Sequence, residues 1–105
     1  MTNWLFQVEP PLELTVRCST DYWTFIVSEK HPVLIGKEQD VQRVLREPNE
    51  IRRSKKDPNV LLFYGMSENR WLCAVVRKEN GTGFVITAYP TDTIKTGDAI
   101  WIRSK

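Results

Sequence analysis

A chain of 105 residues, 41% hydrophobic and 27% charged, has room for one core. That length excludes a second domain and a large cofactor-enclosing fold, and no apolar run approaches the roughly 20 residues that span a bilayer. Fifteen basic residues against thirteen acidic ones leave a net charge of +2, too little to mark a nucleic-acid binder by itself, so the distribution of charge matters more than its sum.

Residues 1–11 show no sustained periodicity and end in Pro10-Pro11, which reads as a lead-in segment or a short edge strand. This stretch has neither a basic n-region nor a continuous apolar run, so no secretion signal is expected. Cys18 and Cys73 lie far apart in apolar segments, as buried reduced thiols of a cytoplasmic protein would. Leu12 to Cys18 alternates apolar with polar residues, the pattern of a half-buried strand. Ser19-Thr20-Asp21 then offers an N-cap and a first-turn acid to a helix with Trp23, Ile26 and Val27 on one face. Pro32 ends that helix and leaves His31 at its C-terminus. Beyond Gly36 a second helix covers Lys37 to Glu47, with Val41, Val44 and Leu45 at i, i+3 and i+4, and Pro48 closes it. Val60 to Tyr64, Trp71 to Arg77, Phe84 to Tyr89 and Ile100 to Arg103 read as strands, and Glu79-Asn80-Gly81-Thr82-Gly83 supplies a hairpin turn. The expectation is a single α+β domain over residues 1–105: two N-terminal helices packed on a four- or five-stranded antiparallel sheet.

Chemistry is sparse. His31 is the single histidine, no Cys/His/Asp/Glu cluster has metal-ligand spacing, and neither a phosphate-cradling glycine loop nor a GxSxG elbow occurs. No metal and no cofactor are expected. The partial negative charge of a helix C-terminus suits an imidazolium, so His31 is placed for proton transfer or for a simple capping role. Arg52, Arg53, Lys55 and Lys56 form a basic block around Ser54, and Lys95, Arg103 and Lys105 accompany one acid, Asp98, near the end of the chain. Such a block can meet a phosphate backbone, or it can be a solvated loop beside a sheet edge. In the strand from Phe84 to Tyr89, alternation puts Phe84, Ile86 and Ala88 on one face and Val85, Thr87 and Tyr89 on the other. The first set suits the core. The second offers two hydroxyls to a phosphodiester, although strands favour Thr and Tyr in any case. Tyr64 is a stacking surface or core filler, and Trp101 either lines the site or is a half-exposed structural residue.

Taken in order, Glu29-Lys30-His31-Pro32, Pro48-Asn49-Glu50-Ile51-Arg52-Arg53-Ser54, Lys56-Asp57-Pro58, Val60-Leu61-Leu62-Phe63-Tyr64, Leu72-Cys73-Ala74-Val75-Val76, Gly83-Phe84-Val85-Ile86-Thr87-Ala88-Tyr89 and Lys95-Thr96-Gly97-Asp98-Ala99-Ile100-Trp101 resemble the small phage- and toxin-associated nucleases of the barnase–EndoU–colicin–RelE superfamily. The resemblance covers residues 14 to 102. It implies N-terminal helices on a four- or five-stranded antiparallel sheet and metal-independent cleavage of RNA, often by the toxin of a toxin–antitoxin pair with a protein antitoxin as partner. Carried over by position, it implies catalytic roles for His31, Arg53, Thr87 and Tyr89, and substrate contacts from Arg52, Lys55, Lys56, Tyr64 and Lys95. The alternative is a non-catalytic module that grips RNA or a protein through Arg52 to Lys56. A further reading is a structural partner whose sheet edge pairs with another chain.

Overall fold

The computed structural model describes residues 3–94 and 97–104; Lys95, expected to contact substrate, lies outside the described residues. Alternating and β-branched runs dominate the chain, and they form one seven-stranded sheet. Its strands are β1 (Trp4–Val8), β2 (Thr15–Ser19), β3 (Glu50–Arg53), β4 (Val60–Ser67), β5 (Arg70–Glu79), β6 (Thr82–Thr91) and β7 (Asp98–Ile102), in the spatial order β1-β2-β6-β5-β4-β3-β7. The helices are short: α1 (Thr20–Phe25), continued by a π turn over Ile26–Lys30 and a 3₁₀ turn over Pro32–Leu34, and α2 (Glu38–Arg46).

This corrects the expected architecture. Two strands precede the helices, the sheet has seven strands instead of four or five, and it is mixed, because β2 runs parallel to β6. Two features escape periodicity. The lead-in pairs with β2 as an edge strand, Gln7 opposite Arg17 and Val8 opposite Val16. The segment Glu50–Arg53, whose two arginines open the basic block, is a four-residue strand between β4 and β7. Only Ile51 of that strand is buried, so its charged neighbours conceal the pattern. Strand direction is also absent from alternation, since a half-buried strand looks alike in either sense.

The hairpins follow local chemistry. Asn80 and Gly81 hold φ of 50° and 82°, and Glu68 and Asn69 hold 49° and 69°. Both pairs have the two positive φ values of a type I′ turn, whose twist matches the flanking strands. The main core lies between one sheet face and the helices. Val41, Val44 and Leu45 of α2 are fully buried there with Ile26, Ile51, Phe63 and Val76, each large aliphatic group contributing about 1.5–3 kcal/mol by leaving water. Acids at Glu38 and Asp40 and bases at Arg43 and Arg46 complement the dipole of α2. Both cysteines are buried thiols, and burial pushes that of Cys18 up to about 12. Among the described residues, no helix is long and apolar enough to cross a membrane.

The second sheet face carries a smaller apolar cluster of Tyr64, Cys73 and Val75, flanked by Leu62, Ile86, Tyr89 and Ile94. What decides which residues reach this face is a bulge in β6. Val75 pairs with Thr87 and Val76 with Val85, so Ile86 is an extra residue. Before it, Gly83 and Val85 face the main core; after it, Ala88 does. The expected strict alternation is thereby corrected: Val85 is a core residue, while Thr87 and Tyr89 keep the opposite face.

The close approach of α2 to β4 gives a test. A Cβ at Gly65 would lie 2.9 Å from Val44 Cγ2, and the nearest atoms it meets all belong to Val44. Gly65→Ala should lower stability by about 1–3 kcal/mol in urea unfolding. Adding Val44→Ala should recover part of that loss through a favourable coupling, as a double-mutant cycle would show.

Candidate functional site

Cross-strand register aligns two adjacent rows on the second face. One runs Arg52–Leu62–Val75–Thr87 and the next runs Glu50–Tyr64–Cys73–Tyr89, through β3, β4, β5 and β6. Thr87 and Tyr89 thus stand side by side on one strand face, with apolar neighbours beneath.

His31 reaches this face from the helical segment. Strand β2 pairs with β6 only from Thr82 to Phe84, so beyond Phe84 that edge of β6 is open to other packing. The chain leaves β2 into α1, where Ser19 Oγ accepts from the Tyr22 amide at 3.0 Å as an N-cap. The helix then widens: the His31 amide donates to the Ile26 carbonyl at 2.7 Å, five residues back. Pro32 biases His31 away from helix, and His31 adopts φ −140° and ψ 77° before the 3₁₀ turn begins. Lys30 Nζ donates to the carbonyl of Ile86, the bulge residue, at 3.3 Å. These constraints bring the His31 ring to 5.9 Å from the Tyr89 ring, centroid to centroid and tilted by 37°.

Thr87 Oγ1 is buried and has no hydrogen-bond partner among the described residues. An unmet buried hydroxyl costs about 1–3 kcal/mol, which a ligand oxygen would restore. The residue as a whole is partly exposed, and rotation about χ1 exchanges its methyl and hydroxyl positions. Tyr89 is held as a neutral phenol. Burial, above all, together with Cys73 and Tyr64 and the hydrogen bonds linking them, pushes its pKa above the ordinary 10.0. It is a hydrogen-bond donor at neutral pH and a poor base.

The arginines separate. Arg52 shares the face of Thr87 but stands three strands away, about 14 Å. Its Nε donates to Glu50 Oε2 at 3.0 Å, its Nη2 to Glu50 Oε1 at 3.2 Å and its Nη1 to the Gly97 carbonyl at 3.1 Å. The hydrogen bond to Glu50 raises its already high pKa, and two of its five N–H groups stay uncommitted in this set of bonds. Arg53 pairs with Leu61, which aligns with Val76 and Val85, so it lies on the helix-packed face, 3.8 Å from Asp98. The structure therefore does not bring Arg53 to His31, Thr87 and Tyr89. The role that the resemblance implies for Arg53 fails on position: Ile51 enters the main core, and Arg53, two residues on, takes the same face of β3.

Lys55 and Lys56 are exposed in the loop between β3 and β4, where the Lys56 amide donates to Ser54 Oγ at 3.2 Å. That loop leads from β3 to β4, and its Asp57 accepts from Arg77 Nη1 of β5 at 3.0 Å, so β5 lies between it and β6. Tyr64 is fully buried, so its ring has no open side for stacking; it supports Tyr89 from below. Trp101 pairs with Ile51 and packs on the main core, a structural role. Sequence reading assigned no role to Lys30, whose part depends on a bulge that no motif announces.

No protein-family model, curated protein or solved structure matches the chain. Its function has to follow from this geometry.

The state of Tyr89 has a pH consequence. A folded-state pKa above 10.0 means the native protein keeps a proton that the unfolded chain loses near that pH. The associated stability is present below pH 10 and falls as pH rises beyond it. In a tyrosinate absorbance titration, wild type and Tyr89→Phe should coincide up to pH 10 and diverge only above it.

Proposed function

We propose that this protein is a metal-independent endoribonuclease of the cytoplasm, acting as a toxin that a protein antitoxin neutralises. One observation carries the reading: the single histidine packs against Tyr89, two residues from a Thr87 hydroxyl that has no partner among the described residues. The His-Pro, Ile-Arg-Arg-Ser and Thr-Ala-Tyr segments support it by resemblance, although the sheet is not the one that resemblance implied.

RNA carries its own nucleophile. His31 takes the proton of the 2′-hydroxyl as that oxygen attacks phosphorus. The new P–O2′ bond forms as the P–O5′ bond breaks, and the 5′-oxygen leaves with a proton from the imidazolium or from water. Charge gathers on the non-bridging oxygens, where the Thr87 hydroxyl can donate. The products end in a 2′,3′-cyclic phosphate and a 5′-hydroxyl. DNA has no 2′-hydroxyl and should stay intact.

Incubation with RNA in EDTA, with and without ribosomes, checks this. Wild type should give cyclic-phosphate ends. His31→Ala should lower the rate by about 10²–10⁴-fold, and Thr87→Val by about tenfold or more. Arg53→Ala should stay near wild type, since its side chain occupies the other face. Intact RNA with a folded wild-type protein would refute the nuclease. Salt-sensitive RNA binding lost in Lys55→Ala/Lys56→Ala would then favour the non-catalytic module, whose basic loop lies apart from His31.

A further inference from the structure

The sheet face that carries Thr87 and Tyr89 continues across β6 to a cavity of about 270 Å³ lined by Trp4, Arg17, Tyr22, Phe84 and Ile86, among others. Arg17 and Phe84 are register partners, and the Trp4 and Phe84 ring centroids are 6.1 Å apart. The Arg17 guanidinium carbon lies 5.2 Å from the Trp4 ring centroid, and its Nε donates to Gln7 Oε1 at 2.9 Å, which fixes its orientation. At the other rim, Lys30 Nζ is 5.9 Å from the Tyr22 ring and 5.3 Å from that of Phe25. None of the lining residues is acidic. Trp4 is 41% exposed, so its ring is open to a ligand.

We propose that this cleft binds one nucleobase of single-stranded RNA, the base of a nucleotide next to the phosphate held at Thr87. The inference rests on the ribonuclease reading and names its substrate subsite. Planar rings beside fixed cations match a base attached to its phosphate: the ring stacks on Trp4 and Phe84 while Arg17 and Lys30 meet the anionic backbone. Small-molecule pockets usually measure ~300–1,000 Å³, and a cavity just below that range takes a single ring system. Position agrees as well. Phe84 is three residues before Thr87, about 10 Å along a strand, on the same face, and Ile86 lies between them. An apolar side chain of a partner protein would fill the cleft without using either cation.

The test is fluorescence anisotropy with a labelled 2′-O-methyl oligonucleotide, which has no free 2′-hydroxyl and cannot be cut. Trp4→Ala should weaken binding about tenfold or more, and Trp4→Phe should retain most of the affinity. Trp4 sits on an exposed edge strand, and Trp4→Phe guards against a misfolded variant. Equal affinity of wild type and Trp4→Ala, or no binding by wild type, would overturn the cleft. Cleavage of ordinary RNA by the same preparation is scored separately. Trp4-dependent binding without cleavage keeps the cleft and removes the nuclease; cleavage with Trp4-independent binding does the reverse.

Discussion

One extra residue in β6 controls where the chemistry of this protein can stand. Without the bulge at Ile86, Val85 and Thr87 would share a face, and either Val85 would leave the main core or Thr87 would enter it. With it, Val85 packs under the helices while Thr87 and Tyr89 look the other way. The bulge also frees the Ile86 carbonyl to accept from Lys30, which tethers the end of the helical segment to the strand. His31 follows Lys30 directly, so the contact between His31 and Tyr89 depends on the same irregularity.

Much of the local structure was legible in the sequence. The Ser19 cap, Pro32, the i, i+3, i+4 spacing of α2 and the Asn80-Gly81 turn each act within a few residues, and each appears where its chemistry predicts. Features that depend on distant partners were not legible. The strand at Glu50–Arg53 exists because β4 and β7 flank it, and nothing in Glu-Ile-Arg-Arg declares that. The parallel pairing of β2 with β6 needs a crossover through most of the chain. For these reasons the expected small antiparallel sheet gave way to a seven-stranded mixed one.

The same division runs through the candidate site. Residue type and position single out His31, Thr87 and Tyr89, and the structure places His31 against Tyr89 with Thr87 two residues away on the same strand face. Arg53 was chosen over Arg52 on motif alignment, but the burial of Ile51 sets the phase of β3 and turns Arg53 to the far face. Tyr64 reads as a stacking ring and is instead a buried prop for Tyr89. The aromatic cleft of Trp4, Tyr22 and Phe84 draws on three separate elements, so no single stretch of sequence displays it. Positive charge is divided too: Arg17 and Lys30 flank the open edge of β6, while Arg52, Lys55 and Lys56 lie on β3 or in the loop that follows it.

The central claim is that RNA is received on the face set by the bulge, beside His31, and not on the basic loop. Amide and side-chain chemical shifts followed during titration with a 2′-O-methyl oligonucleotide test it most directly. The account predicts the largest changes at the His31 ring, Thr87 and Tyr89, extending to Trp4 and Phe84, with Arg53, Lys55 and Lys56 little affected. Changes centred on Arg53, Lys55 and Lys56, with His31 and Tyr89 unmoved, would contradict it.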